Sequence, residues 1–431
     1  MKKQRIKCVA GYLNERLNNK KSFPIYVISL LLIAIFFGDA IGNVNFRILG
    51  IVVTFYRVVV LSLFIVTVMY VYKMKMVLPV FQIHILMFMI IWIFLSVIQF
   101  LIFKDLDKSE GLKEISYLLF GSLIILYFII YIDNYEDIKK LYKLVKYVGF
   151  LLIIGGIVEV ITGVHWSISR YSDIELIQEE LVLWGSTEDV YRWISTGPFY
   201  NENDFSAALA ILFPFFSYEN TNIKMKIISY LGQMGGLILI CLNNSIISLL
   251  SVILFFLIKI YIKSPSKLKV LEVIVGAVGG CIAILNLDNI VHSLQGSSLA
   301  IRLEVYNQSL NLCKRHILLG VGPGGFEDYF IKNPMSTGRV SIVNPHNYFF
   351  EIMTQYGIII LLGTLILILW IFRKYWMKLQ DYKEAEIFLE FWIIYVIISF
   401  APSSFLDKGF SWLLIAIGIS GIRGLNEEHV L

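Results

Sequence analysis

The chain has 431 residues, 58% of them apolar and only 16% charged, with a mean hydropathy of +0.74. Soluble domains carry roughly a quarter charged residues, so this composition excludes a water-soluble globular enzyme and points to a chain that lives in a bilayer. The net charge of +5 reports basic loops between apolar runs and gives no reason to expect a nucleic-acid partner.

A hydrocarbon core needs about 20 apolar residues per helix. Such runs predict spans over 24–41, 48–72, 77–103, 115–132, 147–163, 204–219, 227–242, 246–262, 270–287, 346–372, 387–403 and 409–422. The expected fold is all-α, a polytopic membrane protein of about twelve transmembrane helices. The pair of runs around Asn243-Asn244 leaves the count open by one.

The N-terminal tail holds Lys2, Lys3, Arg5, Lys7, Arg16, Lys20 and Lys21. Every second loop is basic again, at Lys73/Lys75, Lys139/Lys140/Lys143/Lys146, Lys224/Lys226, Lys259/Lys263/Lys267/Lys269 and Arg373/Lys374/Lys378/Lys383. Basic loops stay inside, which puts both termini in the cytoplasm and makes the first run an uncleaved anchor. The expected organisation is a block of N-terminal membrane helices at 1–163, an outer loop at 164–203, and membrane helices six to nine at 204–287. A large outer loop at 288–345, between the ninth and tenth spans, precedes C-terminal membrane helices at 346–431.

The loop at 164–203 is acidic, with Arg170 and Arg192 as its basic residues. The loop at 288–345 is nearly charge-balanced, and both are aromatic enough to fold onto the outer face. In the second, Leu303, Tyr306, Leu310, Cys313 and Ile317 recur at helical spacing, which predicts an amphipathic helix. Lys314, Arg315 and His316 fall in its last turn, and the glycine-rich stretch 320–325 ends it. That stretch lacks the Lys-Ser/Thr of a nucleotide-binding loop and reads as a tight turn rather than a phosphate cradle.

Asn344-Pro345-His346-Asn347 opens the tenth span. Asn344 suits an N-cap and Pro345 the first helical position, placing His346 in the first turn at the outer boundary. Free amides there favour an anion, and their field keeps imidazole neutral, as a general base requires. Asn347, Glu351 and Gln355 continue as a polar stripe; the plainer alternative is a histidine that only hydrogen-bonds at the interface. Arg302, one turn before Tyr306, could grip a phosphate or stand solvated, and Arg192 could serve function or merely neutralise its acidic loop. Arg57, inside the second span, is either functional or structurally paired. Glu159 sits near the outer boundary as an ordinary carboxylate. Cys8, Cys241, Cys281 and Cys313 show no disulfide or metal spacing, and no metal or cofactor is expected.

These residues resemble the O-antigen polymerase/ligase family of bacterial surface-polysaccharide assembly, which includes capsular and teichuronic acid polymerases. The family's arginine ahead of Gly-x-Phe-x-Asn-Pro-Asn is matched by Arg192 and 197–203, and its arginine followed by an aromatic by Arg302 and Tyr306. The glycine-rich stretch is matched by 316–326, and His-Asn opening a membrane helix by His346-Asn347. Glu202 and Ile317 stand where the family has proline, and Asn244-Ser245-Ile246 lacks an arginine common there.

The resemblance implies a glycosyltransferase without metal or nucleotide, working at the outer face on a polyprenyl-pyrophosphate-linked oligosaccharide and an acceptor glycan. Arg192 and Arg302 would hold the departing pyrophosphate, and His346 would position or deprotonate the acceptor hydroxyl. Asn347, Tyr306, Asn203 and Glu351 would line the substrate site. The bilayer and other polysaccharide-assembly proteins are the further partners implied. A polymerase is the first expectation. The alternatives are a ligase, and a lipid-linked oligosaccharide flippase or secondary transporter, which would need charge at the midplane.

Overall fold

The computed structural model describes residues 24–41, 43–48, 51–76, 78–103, 107–172, 193–218, 223–265, 268, 298–332, 347–400 and 404–427. Helix α1 (Pro24–Ile41) leads into an antiparallel hairpin, β1 (Asn43–Ile48) and β2 (Ile51–Thr54), in which Ile48 pairs with Ile51 and Asn43 with Thr54. Then come α2 (Phe55–Met74), α3 (Val80–Ile102), α4 (Lys108–Tyr131) and α5 (Tyr135–Thr162). Helix α6 (Glu202–Leu212) runs into a 3-10 turn at Phe213–Ser217, followed by α7 (Ile223–Leu242) and α8 (Ile246–Lys263). Two helices of the large loop, α9 (Ser298–Arg315) and α10 (Gly325–Lys332), precede α11 (Tyr348–Trp376), α12 (Lys383–Ile398) and α13 (Leu413–Glu427).

Helices α1 to α5, α7 and α11 are long and apolar enough to cross a membrane, and α8 and a stretch over Gly409–Leu425 are shorter apolar helices. The protein is a helical, multi-pass membrane protein. Helix α4 is 78% buried along its most apolar stretch, whereas α2 and α3 are only 28% buried. Helix α4 therefore belongs to the middle of the bundle, and the outward apolar faces of α2 and α3 are what hydrocarbon would cover. Gly121 on α4 lets Trp412 lie against the helix backbone: an added Cβ would come within 2.6 Å of the indole Cζ2.

Helix starts follow their capping residues. The Asp107 carboxylate accepts from Ser109 N and Glu110 N, at 2.7 and 3.3 Å. Asn134 and Asn201 accept from Asp137 N and Asp204 N, at 3.1 and 2.8 Å. Asn244 takes a left-handed conformation (φ 50°), which asparagine tolerates, so the runs around it are the separate helices α7 and α8.

Several boundaries depart from expectation. The second span begins at Phe55, not 48, because residues 51–54 belong to the hairpin; a continuous apolar run does not tell strand from helix. The hairpin is a short insertion in a fold that is otherwise helical. The sixth expected span is a helix only to Leu212, and Pro214 sits in the 3-10 turn that follows. The ninth, at 270–287, lies outside the described residues. Helix α9 forms as expected but buries Val305, Ser309, Leu312 and Cys313, while Leu310 and Ile317 are exposed.

The bundle has two polar ends. At one, where α5 and α12 begin, Tyr135 and Tyr218 donate to the Glu384 carboxylate at 2.9 and 2.8 Å, and Lys146 donates to the Tyr218 carbonyl at 2.9 Å. The other end, where α4, α6, α8 and α11 begin, holds the family-like motifs.

Candidate active site

Helix α11 starts at Tyr348, with Asn347 as its N-cap rather than Asn344: the Asn347 side-chain oxygen accepts from Phe349 N and Phe350 N at 2.9 and 3.0 Å. The polar stripe then turns inward. Glu351 is fully buried and accepts from Ser404 Oγ at 2.5 Å and Phe405 N at 2.9 Å, fastening the segment before α13. Gln355 accepts from Gly324 N at 2.7 Å.

The glycine-rich stretch is clamped onto α11. Val321 N donates to the Thr354 carbonyl at 2.8 Å and Gly322 N to the Gln355 carbonyl at 2.9 Å, while Ile358 N donates to the Ile317 carbonyl at 2.9 Å. Gln99 of α3 donates to the Leu319 carbonyl from the other side. Amides that a phosphate cradle would need are therefore engaged, which decides for the tight turn. Ile317 makes its bond through its carbonyl, which a proline at that position would also offer. Gly320, Gly322 and Gly324 have φ of 71°, 89° and 72°, and α11 itself breaks at Gly357 (φ 80°) to receive the turn. Glu327, just beyond it, is buried; burial pushes its carboxyl up to about 7, against the pull of its own backbone amide and Lys113.

Tyr306 stacks on Phe350, ring centres 5.0 Å apart and 11° from parallel, so α9 is docked on the first turn of α11. Arg302 lies one turn earlier on α9, and its side chain is outside the described residues, as are Arg192 and His346. Asn203 is half-buried in the first turn of α6.

The loop between α5 and α6 is fastened by Glu159, which reads as an ordinary carboxylate from sequence. Glu159, 1% exposed at the end of α5, accepts from Ser195 Oγ (2.8 Å), Thr196 N (3.1 Å) and Gly197 N (2.7 Å), and His165 Nδ1 lies 2.8 Å from its other oxygen. Asn243 reads both backbone groups of Ser195, accepting from its N–H at 2.9 Å and donating to its carbonyl at 2.8 Å. The α7–α8 turn thus has a fixing role without an arginine. Glu202, the departure from proline, accepts from Arg170 Nη2 at 3.0 Å and Tyr171 OH at 2.9 Å. Glu159→Ala leaves buried N–H groups unpaired, at roughly 1–3 kcal/mol each. The variant is expected to lose heat resistance in detergent more than Glu159→Gln does; equal behaviour to wild type in a thermal aggregation assay would refute the anchoring role.

Between the hairpin, α1, α2, α4, α6 and the segment before α13 lies a cavity of about 300 Å³. Its charged lining is Asp39, Arg57, Asp204, Asp407 and Lys408, and its aromatic lining includes Tyr56, Tyr117, Phe199, Tyr200 and Phe410. Lys408 Nζ lies 3.0 Å from Asp204 Oδ2 and 3.0 Å from Asp407 Oδ2. Burial alone would lower the pKa of this ammonium, but the two carboxylates hold it above the ordinary lysine value. Arg57 lies 5.7 Å from the centres of the Tyr117 and Phe120 rings. Among the charged groups, Arg57 stands out in the sequence as an ionisable residue inside an apolar run, and Asp407-Lys408 as a charged pair between two such runs.

Residues 232–365 match the family model described as O-antigen ligase. Over that stretch the chain is similar to the O-antigen ligase family. It is also 26% identical over 371 residues to the teichuronic acid biosynthesis protein TuaE of Bacillus subtilis (strain 168), covering 80% of this chain and 72% of the relative. The family match runs from within α7 through α8 and the large loop to the clamped half of α11.

Proposed function

We infer that the protein polymerises a cell-surface polysaccharide, moving an oligosaccharide from a polyprenyl-pyrophosphate carrier to an acceptor glycan at the outer face of the cytoplasmic membrane. The observation that carries this reading is the clamp between loop and helix. Tyr306 on Phe350 and the glycine turn on Gly357 fasten the helix bearing Arg302 to the helix that begins just after His346. Similarity to the O-antigen ligase model and to a teichuronic acid biosynthesis protein supports the substrate class.

In this mechanism the acceptor hydroxyl oxygen attacks the anomeric carbon of the donor, and the bond from that carbon to the pyrophosphate oxygen breaks. The carrier pyrophosphate leaves with the electron pair, and the hydroxyl proton passes to His346. Arg192 and Arg302 stabilise the charge that grows on the pyrophosphate. Asn203 and Tyr306 contribute to the substrate surface. Asn347 and Glu351 hold the scaffold, since their acceptor oxygens are engaged with the backbone and with Ser404. The basic loops set both termini in the cytoplasm.

The test is the length distribution of surface and lipid-linked glycans in cells carrying His346→Ala or Arg302→Ala. Single repeats in place of long chains are expected, a loss of at least about a hundredfold in transfer. Unchanged chains with protein present in the membrane would overturn the assignment. The matched family description names a ligase, and that second reading predicts long lipid-linked chains that never reach their anchor.

A further inference from the structure

We propose that the cavity beside Lys408 is a subsite for a neutral saccharide ring, engaging sugar hydroxyls through Asp204 and Asp407 and a sugar face through Tyr200. Its chemistry separates two ligands present in any carrier-linked reaction, the pyrophosphate and the sugar. The cations do not offer spare positive charge to an anion. Lys408 is held between Asp204 and Asp407 at 3.0 Å each, and Asp39 interacts electrostatically with both Lys408 and Arg57. Three carboxylates face two cations in the lining, so a pyrophosphate entering it would find both cations already matched.

Hydroxyl donors meet the opposite situation. Asp204 is 1% exposed, and its Oδ1 has no hydrogen-bond partner among the described residues; Asp407 Oδ1 has none either. Both residues line the cavity. Buried acceptors in native folds are nearly always satisfied, and an ionised carboxylate is an acceptor only, so what fits here is an O–H or N–H donor. Tyr200, half-exposed at 54%, offers a ring at the cavity wall, and Phe199 and Phe410 pack edge-to-face beside it with centres 5.9 Å apart. Aromatic faces against C–H surfaces, with carboxylates against hydroxyls, make a surface suited to a sugar. The volume lies at the small end of ligand pockets, fitting a short saccharide rather than a polymer.

The position also suits such a role. Phe199 and Tyr200 belong to the motif that Glu159 and Asn243 pin, so the wall is built on rigid elements. As a part of the transfer site, this subsite rests on the polymerase reading above; its ligand chemistry does not.

The experiment uses the purified full chain in nanodiscs. Saturation-transfer NMR is recorded with glucose, galactose, N-acetylglucosamine, N-acetylgalactosamine and rhamnose, and inorganic pyrophosphate is titrated separately by ³¹P line broadening. At least one neutral sugar is expected to bind wild type, with roughly fivefold weaker binding to Tyr200→Ala, whose exposed ring can be cut without opening the core. Asp407→Asn, the less buried carboxylate of the pair, is expected to shift which sugar protons receive saturation. Pyrophosphate broadening is expected to be the same in wild type and both variants. If no sugar binds in a Tyr200-dependent way, or if pyrophosphate binding is what the variants lose, the proposal falls. Extension of a lipid-linked oligosaccharide by the same preparation separates the two claims. Transfer without Tyr200-dependent sugar binding removes only the subsite, and Tyr200-dependent binding without transfer removes only the polymerase reading.

Discussion

Replacing Lys408 with methionine is expected to cost the protein most of its heat-resistant fraction. The ammonium lies 3.0 Å from both Asp204 and Asp407, and Asp204 is 1% exposed. Deleting one partner of a buried ion group strands the remaining charge, typically at about 3–5 kcal/mol. The wild-type pH response has a definite sign. The folded-state pKa of Lys408 is raised, so its contribution is complete below the ordinary lysine value near ~10.4 and is lost only as pH rises through the higher folded value. Lysine titration therefore leaves stability unchanged from neutral to mildly alkaline pH. The measurement is the fraction of monodisperse protein left after heating, by size-exclusion chromatography. Lys408→Met combined with Asp204→Asn should recover part of the loss, because the stranded charge is removed with its partner. A Lys408→Met protein as heat-resistant as wild type would show that the triad contributes nothing.

The triad is not legible in the sequence, whereas the membrane-spanning character is. Apolar runs and basic loops identify a multi-pass membrane chain, because the bilayer imposes length and composition on each crossing helix. The resemblance to the O-antigen ligase family is legible around Arg302 and His346-Asn347 for a similar reason, those motifs being compact in sequence. Asp407-Lys408 and Asp204 are far apart in the chain and become one group only when α6 meets the segment before α13. Glu159 looked ordinary because the donors that define it come from 195–197, across a loop. The buried face of α9 departs from its apolar spacing for a related reason. Its neighbours include Phe350 and the polar end of α11, so Ser309 is buried and Leu310 exposed. The hairpin is not legible in the sequence because residues 48–53 continue an apolar run without a polar break.

Gly357→Ala is expected to be the more damaging of two glycine substitutions in apolar helices, and it tests the clamp directly. Gly357 has φ 80° and ψ 178°, a conformation essentially confined to glycine that costs an ordinary residue about 1–3 kcal/mol. Space is the harder limit: an added Cβ would lie 2.5 Å from the Leu318 carbonyl carbon and 2.7 Å from Leu319 N. Those are backbone atoms of the docked turn, so no side-chain rotation relieves the clash. Either the turn lifts from α11, giving up the bonds from Val321 N, Gly322 N and Ile358 N, or the helix straightens beneath it. In both cases α9 loses its fixed relation to the start of α11. Transfer should fall by about a hundredfold or more, since misplacing catalytic groups by about 1 Å already costs that much. Gly155→Ala is the control. That glycine sits inside α5, where a Cβ would meet Trp166 Cζ2 at an ordinary 3.5 Å, so wild-type glycan lengths and wild-type or better heat resistance are expected. Limited proteolysis of the 317–325 stretch in nanodiscs supplies the structural readout. Cleavage that accelerates in Gly357→Ala but not in Gly155→Ala, together with shortened glycans, is the expected pair of results. Full-length glycans from a Gly357→Ala protein would mean that transfer does not depend on the clamp, and would remove the observation on which the polymerase reading rests.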